Sequence, residues 1–362
     1  MATGPRTDEQ RMERALALAA GARSLAHPNP WVGAVLVSPE GAVFEGATSA
    51  PGGPHAEAVA LVAAGAGARG STLWSTLEPC AHHGRTPPCA EALVTAGVRR
   101  VVVALEDPDP RVAGEGVRRL RQAGIEVMVG VGAEAAADQL APYLKHRRTG
   151  RPWVVLKLAA TLDGRTAAPD GSSQWITGPG ARADAHRLRA ESDAVIVGAG
   201  TVRADDPSLT VRLAEGPDPL RVVLGHAPAG ARVHPALELA GDPGDILDDL
   251  GQRGMVQVLV EGGATVAAAF HRAGLVDRYV VYLAPKLLGG DDGRALFAGP
   301  GAATLADAWD GEVIDFELLG SDLRIELARQ GALRSEACPD GTGKGTAAPR
   351  RLDALQASEA SP

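Results

Sequence analysis

The sequence predicts an α/β protein built from two units. Strand-like apolar runs alternate with helical stretches along most of the chain, as in RRVVVAL followed by IEVMVGV and, later, in DAVIVGAG followed by VQVLVEGG. This alternation is typical of a mainly parallel sheet with helices on its faces. The chain also has 362 residues, more than one hydrophobic core usually organises. Two domains are therefore expected.

The first alternating set opens with a helix. Apolar residues recur at helical spacing from Asp8 to Ser24, and the helix should stop at the breaker-rich HPNP. The strands VGAVLV and GAVFEG should then form a hairpin that turns near Glu40 and Gly41. The remaining elements, in order, are a helix from about Glu57, the strand STLWSTLE, a helix from about Pro88, the strand RRVVVAL, a helix over 116–123 and the strand IEVMVGV.

The second set begins at PWVVLKLAA, after the basic stretch KHRRTGRP, which we interpret as a linker near Leu144 to Pro152. Its further strands are DAVIVGAG, LRVVL, VQVLVEGG and RYVVYLAP, with a closing pair at VIDFELLG and LRIELAR. From about Gly331 the chain is poor in large apolar residues, which predicts a disordered tail. Cys338 in this tail is expected to be an unpaired thiol. The predicted domains are residues 1–147 and 151–330, with the tail over 331–362.

Composition excludes several classes of partner. With 36 Lys plus Arg against 44 Asp plus Glu, the formal net charge of -8 argues against nucleic-acid binding, which needs a basic surface. Aromatic residues, at 3%, are too few for a base-stacking surface. The N-terminus lacks an apolar leader, and no apolar run is long enough to span a membrane. We expect a cytoplasmic protein that acts on small molecules; its oligomeric state stays open, a homo-oligomer included.

Two short segments carry metal-binding residue types. PGGPHAEAVAL places His55 and Glu57 at a helix start, and TLEPCAHHGRTPPCAEAL places Cys80 and Cys89 around another. One imidazole and two thiolates leave the fourth position of a zinc ion open, as catalytic zinc requires. Glu57 can carry a proton from the attacking water to a departing amine, as in zinc-dependent base deaminases. The pattern therefore predicts a zinc deaminase.

Each of these residue types also has a simpler interpretation. His-x-Glu alone is usually a solvated helix start, and its combination with Pro-Cys and a second cysteine is what favours catalysis. His82 and His83 are competing ligands, but adjacent side chains on a loop rarely face one ion. We interpret them as substrate-side or structural residues.

The cysteine spacing narrows the prediction. Two residues separate the cysteines in the general base-deaminase signature, whereas AHHGRTPP separates Cys80 from Cys89 here. Together with HPNPWVGAVLV, PHAEAVAL and EDPDPRVAG, this string closely resembles the bifunctional deaminase–reductase family of riboflavin biosynthesis, over about residues 8–330. The resemblance implies a cytidine-deaminase-like α/β/α first domain. Such a domain removes the 2-amino group of a diaminopyrimidinone ribosyl phosphate.

The resemblance also implies roles for single residues of this domain. The zinc ligands would be His55, Cys80 and Cys89, and the proton shuttle would be Glu57. Asp109 stands where the family usually has Asn, so a side chain that can donate a hydrogen bond is replaced by one that cannot unless protonated. The implied substrate-binding positions are Asn29, His82, Asp107 and, for the phosphate, Arg85, whose alternative is a solvated loop charge.

In the second half, four loops place small or polar residues directly after apolar strands: KLAATLDGRTA, SSQWITG, VGAGTVRADDPSLTVR and LVEGGATV. Ligands gather beyond the carboxyl ends of parallel strands, so these loops suggest one site. They resemble the reductase domain of the same family, which implies a dihydrofolate-reductase-like fold that uses NADPH to reduce the ribosyl to a ribityl chain. The implied cofactor contacts are Ala159, Trp175, Thr201, Asp205 and the loop from Gly263; the substrate contacts are Ser173, Arg189, Leu209, Arg212 and Glu261, with Lys157 close to both.

One departure weakens the reductase interpretation. The segment ALELAGDPGDILDDLGQRG, before VQVLVEGG, is too short to hold the strand that the family commonly has there. Two alternatives stay open. One is a deaminase of another base or nucleoside with an unrelated C-terminal half. The other, favoured by the short segment, is an active deaminase whose C-terminal domain is weak or only binds or assembles. For Arg189 itself, the alternative is a position on a solvated helix face.

Overall fold

A computed structural model describes residues 7–81, 88–110 and 112–329 of the chain. The helices are α1 (Asp8–Ala26), α2 (Ala56–Ala64), α3 (Cys89–Ala96), α4 (Glu115–Gln122), α5 (Ala133–Thr149), α6 (Pro179–Ala190), α7 (Ala199–Asp205), α8 (Pro243–Gln252) and α9 (Ala264–Arg272). The strands are β1 (Gly33–Val37), β2 (Val43–Ala47), β3 (Thr72–Ser75), β4 (Arg100–Val103), β5 (Glu126–Val129), β6 (Trp153–Thr161), β7 (Arg165–Ala167), β8 (Ala194–Gly198), β9 (Leu220–Leu224), β10 (Leu237–Leu239), β11 (Gln257–Val260), β12 (Arg278–Ala284), β13 (Arg294–Ala295), β14 (Gly311–Leu319) and β15 (Asp322–Arg329). Within these ranges, no helix has the length and apolar character needed to cross a membrane.

The first unit is built on a five-stranded sheet with the strand order β2-β1-β3-β4-β5. β1 pairs antiparallel with β2 and β3, while β3, β4 and β5 run parallel. The predicted hairpin turn is confirmed, because Gly41 in it has φ 88°, a conformation that glycine adopts without penalty. Helices and sheet enclose two core clusters: one contains the fully buried Trp31, and the other contains Met12 and Val35.

The second unit is built on an eight-stranded sheet with the order β10-β9-β8-β11-β6-β12-β15-β14. All pairs are parallel except those that β15 makes with β12 and β14. The predicted closing pair is therefore confirmed as an antiparallel hairpin. Both faces of the sheet are covered: Val155 packs in one core cluster and Val154 and Leu156 in the other. Burial on both faces explains the continuous apolar runs of these strands.

The expectation that the segment before Val256 holds no strand was wrong. Leu237–Leu239 forms β10 and pairs in parallel with β9. The N–H of Gly225 also donates to the carbonyl of Leu239 at 2.8 Å. Three residues suffice because α8 begins directly afterwards, with the side chain of Asp242 accepting from the N–H of Gly244. The second sheet therefore has a strand beside β9, in the segment where none was expected.

The linker predicted over 144–152 is in large part helical. α5 continues through KHRR to Thr149 and ends at Gly150, whose φ is 73°. This helix contributes to both units. Leu140 packs in the core of the first unit and Ala141 in a core cluster of the second. The Nζ atom of Lys145 lies 2.6 Å from the carboxylate of Asp277 in the second unit.

Buried polar contacts also join α1 to the second unit. Arg23 donates to the side-chain oxygen of Gln257 at 3.0 Å, and its Nε atom lies 3.4 Å from the carboxylate of Glu191. Gln257 is fully buried, and the neighbouring Val256 packs in the core cluster of the first unit. The two units therefore share an interface of buried side chains.

Candidate active sites

His55, Cys80 and Cys89 converge at one end of the first sheet, as the sequence predicts. His55 is the N-cap residue of α2, Cys89 begins α3, and Cys80 follows β3 in the chain. The Nδ1 atom of His55 lies 3.6 Å from the Sγ atom of Cys80 and 3.4 Å from that of Cys89. The three candidate ligand atoms all lie within 4.8 Å of one another.

These distances fit a tetrahedral zinc ion. With Zn–N near 2.0–2.1 Å and Zn–S near 2.3 Å, nitrogen and sulfur ligands at the tetrahedral angle are roughly 3.6 Å apart. The backbone N–H of Cys89, at the start of α3, donates to the Sγ atom of Cys80 at 3.3 Å. Hydrogen bonds from the thiol of Cys89 and from His55 hold the pKa of Cys80 below its usual range. These contacts favour the thiolate, the form that binds metal.

Glu57 lies beside this triangle but outside the ligand cluster. It is only 3% exposed, and its Oε1 atom accepts a hydrogen bond from the hydroxyl of Ser75 at 3.4 Å. Burial raises the pKa of Glu57 to about 7. A carboxyl group with this pKa can both take up and release a proton near neutral pH, as a proton shuttle must.

The site opens into a cavity of about 150 Å³. Asn29 and Asp107, two predicted substrate positions, line it, as does Asp109. The hydroxyl of Tyr143 donates to the carboxylate of Asp107, 3.1 and 3.0 Å from its two oxygens. Arg147 completes this wall. The other two predicted substrate positions, His82 and Arg85, lie outside the described residues.

Glu78 is a cavity residue that the sequence analysis missed. Its two carboxylate oxygens accept hydrogen bonds from the backbone N–H groups of Asp107, Gly114 and Val117, at 3.1, 3.0 and 2.9 Å. A Cβ atom on Gly116 would lie 1.9 Å from the carbonyl oxygen of Pro79. Only glycine therefore fits at this position of α4, where the helix contacts the residue that follows Glu78. The acidic residue before Pro-Cys gave no local signal of this role.

In the second unit, the predicted residues lie on strands that are neighbours in the sheet. β8, β11 and β6 are adjacent and parallel, so their carboxyl ends share one edge. Lys157 and Ala159 are on β6, Glu261 and Gly263 follow β11, and the residues that follow β8 are Thr201, Asp205, Leu209 and Arg212. A Cβ atom on Gly263 would lie 3.0 Å from the hydroxyl of Thr201, so these two loops are in close contact.

A buried charge cluster lies at this edge. The guanidinium of Arg189 donates to both carboxylate oxygens of Glu261, at 2.5 and 3.0 Å, and the Nζ atom of Lys157 lies 3.8 Å from the same carboxylate. Burial lowers the pKa of Lys157. Burial opposes ionisation of Glu261, but the charge of Arg189 outweighs it and lowers the pKa of this carboxyl. Arg189 is thus directed into the site and does not lie on a solvated helix face.

The arginines also converge on a residue that the sequence analysis did not single out. Arg189 donates to the carbonyl of Thr210 at 3.2 Å, and Arg212 donates to the hydroxyl of the same residue at 2.6 Å. The backbone N–H of Arg212 in turn donates to the Nδ1 atom of His186 at 3.0 Å. Thr210 therefore contacts both guanidinium groups, and His186 fixes the backbone of Arg212.

Ser173 and Trp175 belong to the connection from β7 to α6. The ring of Trp175 is 64% exposed and lies 4.7 Å below the guanidinium of Arg182. The Nζ atom of Lys286 donates to the carbonyl of Trp175 at 2.7 Å. The contact with Lys286 holds the β7–α6 connection against the segment that follows β12.

Comparisons with known proteins match both units. Residues 5–105 match the family described as the cytidine and deoxycytidylate deaminase zinc-binding region, and residues 152–322 match the RibD C-terminal domain. The second match contradicts the alternative of an unrelated C-terminal half. It also confirms the predicted order of a deaminase-like and a reductase domain.

Relatives and solved structures extend over most of the chain. The riboflavin biosynthesis protein RibD of Escherichia coli K12 is 42% identical over 88% of this chain and 99% of its own. That of Mycobacterium tuberculosis H37Rv is 46% identical over 83% and 91%. The structure of Acinetobacter baumannii RibD superposes with a TM-score of 0.84 at 42% identity, over 89% and 98% of the two chains. The diaminohydroxyphosphoribosylaminopyrimidine deaminase / 5-amino-6-(5-phosphoribosylamino)uracil reductase of Thermotoga maritima superposes with 0.81 at 35%, over the same shares. The chain therefore belongs to the RibD family of bifunctional deaminase–reductases of riboflavin biosynthesis.

Proposed function

We propose that the first domain, residues 1–147, deaminates 2,5-diamino-6-(ribosylamino)-4-pyrimidinone 5′-phosphate through His55, Cys80, Cys89 and Glu57. The observation that carries this proposal is the triangle of ligand atoms, 3.4 and 3.6 Å on its measured edges, beside a buried carboxyl in one cavity. The family model that matches this part of the chain describes a zinc-binding region. When bound, zinc supplies a Lewis acid that makes water a nucleophile at neutral pH.

The protein's own residues would position the base and move the proton. A cavity of about 150 Å³ has room for one six-membered ring. Asn29 and Asp107 line this cavity and would hold the edge of the pyrimidinone. The carboxylate of Glu57 would take the proton of the attacking water and deliver it to the 2-amino group, which leaves as ammonia. His82 and Arg85 would contact the substrate from the segment outside the described residues.

We propose that the second domain, residues 151–330, reduces the deaminated product at the loops after β6, β8 and β11. NADPH, the cofactor implied by the family, supplies the hydride that converts the ribosyl into the ribityl chain. Thr201, Asp205 and Gly263 would hold this cofactor, together with Ala159 on β6 and Trp175. Substrate contacts would come from Ser173, Leu209, Glu261 and Lys157. The 5′-phosphate would lie near Arg189 and Arg212, whose guanidinium groups both contact Thr210. A guanidinium suits a phosphate because it can donate parallel hydrogen bonds to it.

The alternative of a weak or non-catalytic C-terminal domain loses the observation on which it rested, because β10 is present beside β9. A decisive assay supplies the purified protein with the diaminopyrimidinone phosphate and follows ammonia release and NADPH oxidation separately. We expect both signals, with reduction dependent on prior deamination. Ammonia release without NADPH oxidation, also on supplied deaminated intermediate, would leave only the deaminase. A cytoplasmic location, homo-oligomer formation, the lack of nucleic-acid binding and the tail over 331–362 stay predictions.

A further inference from the structure

Arg147, near the end of α5, reaches the cavity of the deaminase domain. Its Nε atom lies 3.6 Å from the Oδ2 atom of Asp109, and its guanidinium lies 4.9 Å above the ring of Tyr143. Tyr143 is itself fixed by Asp107, to which its hydroxyl donates. The guanidinium is therefore held in one place by an aromatic ring and a carboxylate.

Arg147 retains a hydrogen-bond donor that no described residue uses. Its Nε–H is buried, and no described group lies within hydrogen-bonding distance of it. The contact with Asp109 is an ion pair at a distance longer than a hydrogen bond. A buried donor without an acceptor is costly, so the contact with Asp109 alone does not satisfy the hydrogen-bonding capacity of this guanidinium.

The charge of the cavity points to the same residue. The carboxyl groups of Glu57, Glu78, Asp107 and Asp109 line it and are all less than a tenth exposed. Among the described residues that line the cavity, Arg147 is the only Lys or Arg. A substrate oxygen that enters this acidic cavity needs a donor, and the guanidinium of Arg147 supplies one.

We propose that Arg147 and Asp109 together recognise the pyrimidinone ring. Arg147 donates to the ring carbonyl oxygen, and Asp109 accepts from the neighbouring ring N–H. A carboxylate cannot donate and a guanidinium cannot accept, so the pair offers one group of each kind side by side. The lactam edge of a pyrimidinone presents the complementary pair, a carbonyl next to an N–H. This inference rests on the proposed deaminase function and assigns Arg147 as a substrate-positioning residue.

The test compares Arg147→Ala with Arg148→Ala, the neighbouring exposed arginine of the same helix. Ammonia release is measured on the diaminopyrimidinone ribosyl phosphate and on the same compound without its phosphate. Zinc content and NADPH oxidation on supplied deaminated intermediate report whether each variant is folded. We expect Arg147→Ala to raise KM at least tenfold on both substrates, with a smaller change in kcat, and Arg148→Ala to behave as the unaltered protein.

A double-mutant comparison tests the pairing. In the Asp109→Asn background, the amide can supply both the donor and the acceptor. Arg147→Ala should therefore raise KM there by at most a third of the factor by which it raises KM when Asp109 is present. Equal KM increases in both backgrounds would show that Arg147 and Asp109 do not act as a pair. A KM effect seen only with the phosphorylated substrate would overturn the ring contact in favour of a phosphate contact. If the unaltered protein releases no ammonia, the proposed deaminase function fails instead, before any variant is compared.

Discussion

The Nδ1 atom of His27 lies 3.3 Å from the Oδ1 atom of Asp193, and this contact joins the end of α1 to the second unit. The other carboxylate oxygen of Asp193 accepts from the backbone N–H groups of Val256 and Gln257, at 2.7 and 2.9 Å. Both side chains of the pair are about nine-tenths buried. Asp193 is therefore a hydrogen-bonded anchor of the interface between the two units.

Replacing Asp193 by Asn should lower the free energy of unfolding by about 2 kcal/mol at pH 7, because the two backbone N–H groups would then donate to a neutral amide oxygen and the buried charge beside His27 would be lost. Chemical denaturation of the full chain measures this. The matched control is Asp248→Asn, which removes a half-exposed carboxylate paired with Arg151 and should change stability by less than about 1 kcal/mol. Equal effects of the two substitutions would contradict the anchoring role.

The same variant predicts a pH dependence. Burial opposes ionisation of Asp193, but His27 and the backbone N–H groups outweigh it and lower its pKa below the ordinary value of 3.8. A carboxyl group with a depressed pKa stabilises the folded state above its unfolded pKa, and this contribution is lost as the pH falls through the folded value. The stability difference between the native chain and Asp193→Asn should therefore shrink as the pH falls below about 4. Denaturation curves over this range would disprove the idea if the difference grew towards acid.

The zinc prediction concerns metal content. A Cys80→Ala, Cys89→Ala double variant should lose its zinc, because a single imidazole cannot retain the ion, while the full chain should bind about one zinc per molecule. Cys338→Ala, which changes the third cysteine, is the control and should keep the metal. Elemental analysis of the purified proteins decides, and full retention by the double variant would exclude this ligand set.

Glu57 is assigned to proton transfer and not to the metal. Glu57→Gln keeps the size of the side chain but cannot accept a proton, so it should retain zinc and lose deamination on the order of a hundredfold or more. Its reductase activity on supplied deaminated intermediate should be unchanged. Loss of zinc from this variant would show that Glu57 is a ligand.

The reciprocal prediction concerns Asp205, which ends α7 after β8 in the second sheet. Asp205→Ala should abolish NADPH oxidation on supplied intermediate and leave ammonia release intact, because each site is built on its own sheet and distant substitutions are nearly independent. Ammonia release and NADPH oxidation are followed in separate assays. A parallel loss of both activities would indicate that the sites are not independent.

Glu78 should matter for stability and for the shape of the deaminase cavity. Glu78→Gln leaves one oxygen where two now accept from three backbone N–H groups, so we expect a loss of at least about 2 kcal/mol. Glu91→Gln, in an exposed pair with Arg119, should change the free energy of unfolding by less than about 1 kcal/mol. Denaturation of both variants provides the comparison.

The convergence of His55, Cys80 and Cys89 beside Glu57 could be predicted because short segments carry these residues in an unusual order of residue types. The buried strands were predicted for a similar reason, since long apolar runs leave few alternatives. β10 has three residues, too few for a periodic pattern, and the helical end of α5 was hidden by basic residues that also suit a linker. Glu78, Tyr143 and Arg147 were missed because each contacts the segment 107–117, which lies 29 to 39 residues away in the chain. No local pattern records such contacts.

The place of α5 bears on how this enzyme could be divided. Tyr143 and Arg147 of this helix line the deaminase cavity. Lys145 and His146, which lie between them in the chain, contact Asp277 and the carbonyl of Gly251 in the other domain. A gene cut between the domains would expose these contacts and leave the cavity wall without its outer support. Two separate single-function proteins would therefore each need new surface residues there. The fusion of the two activities thus has a structural basis, because the helix that lines the deaminase cavity also packs against the second domain.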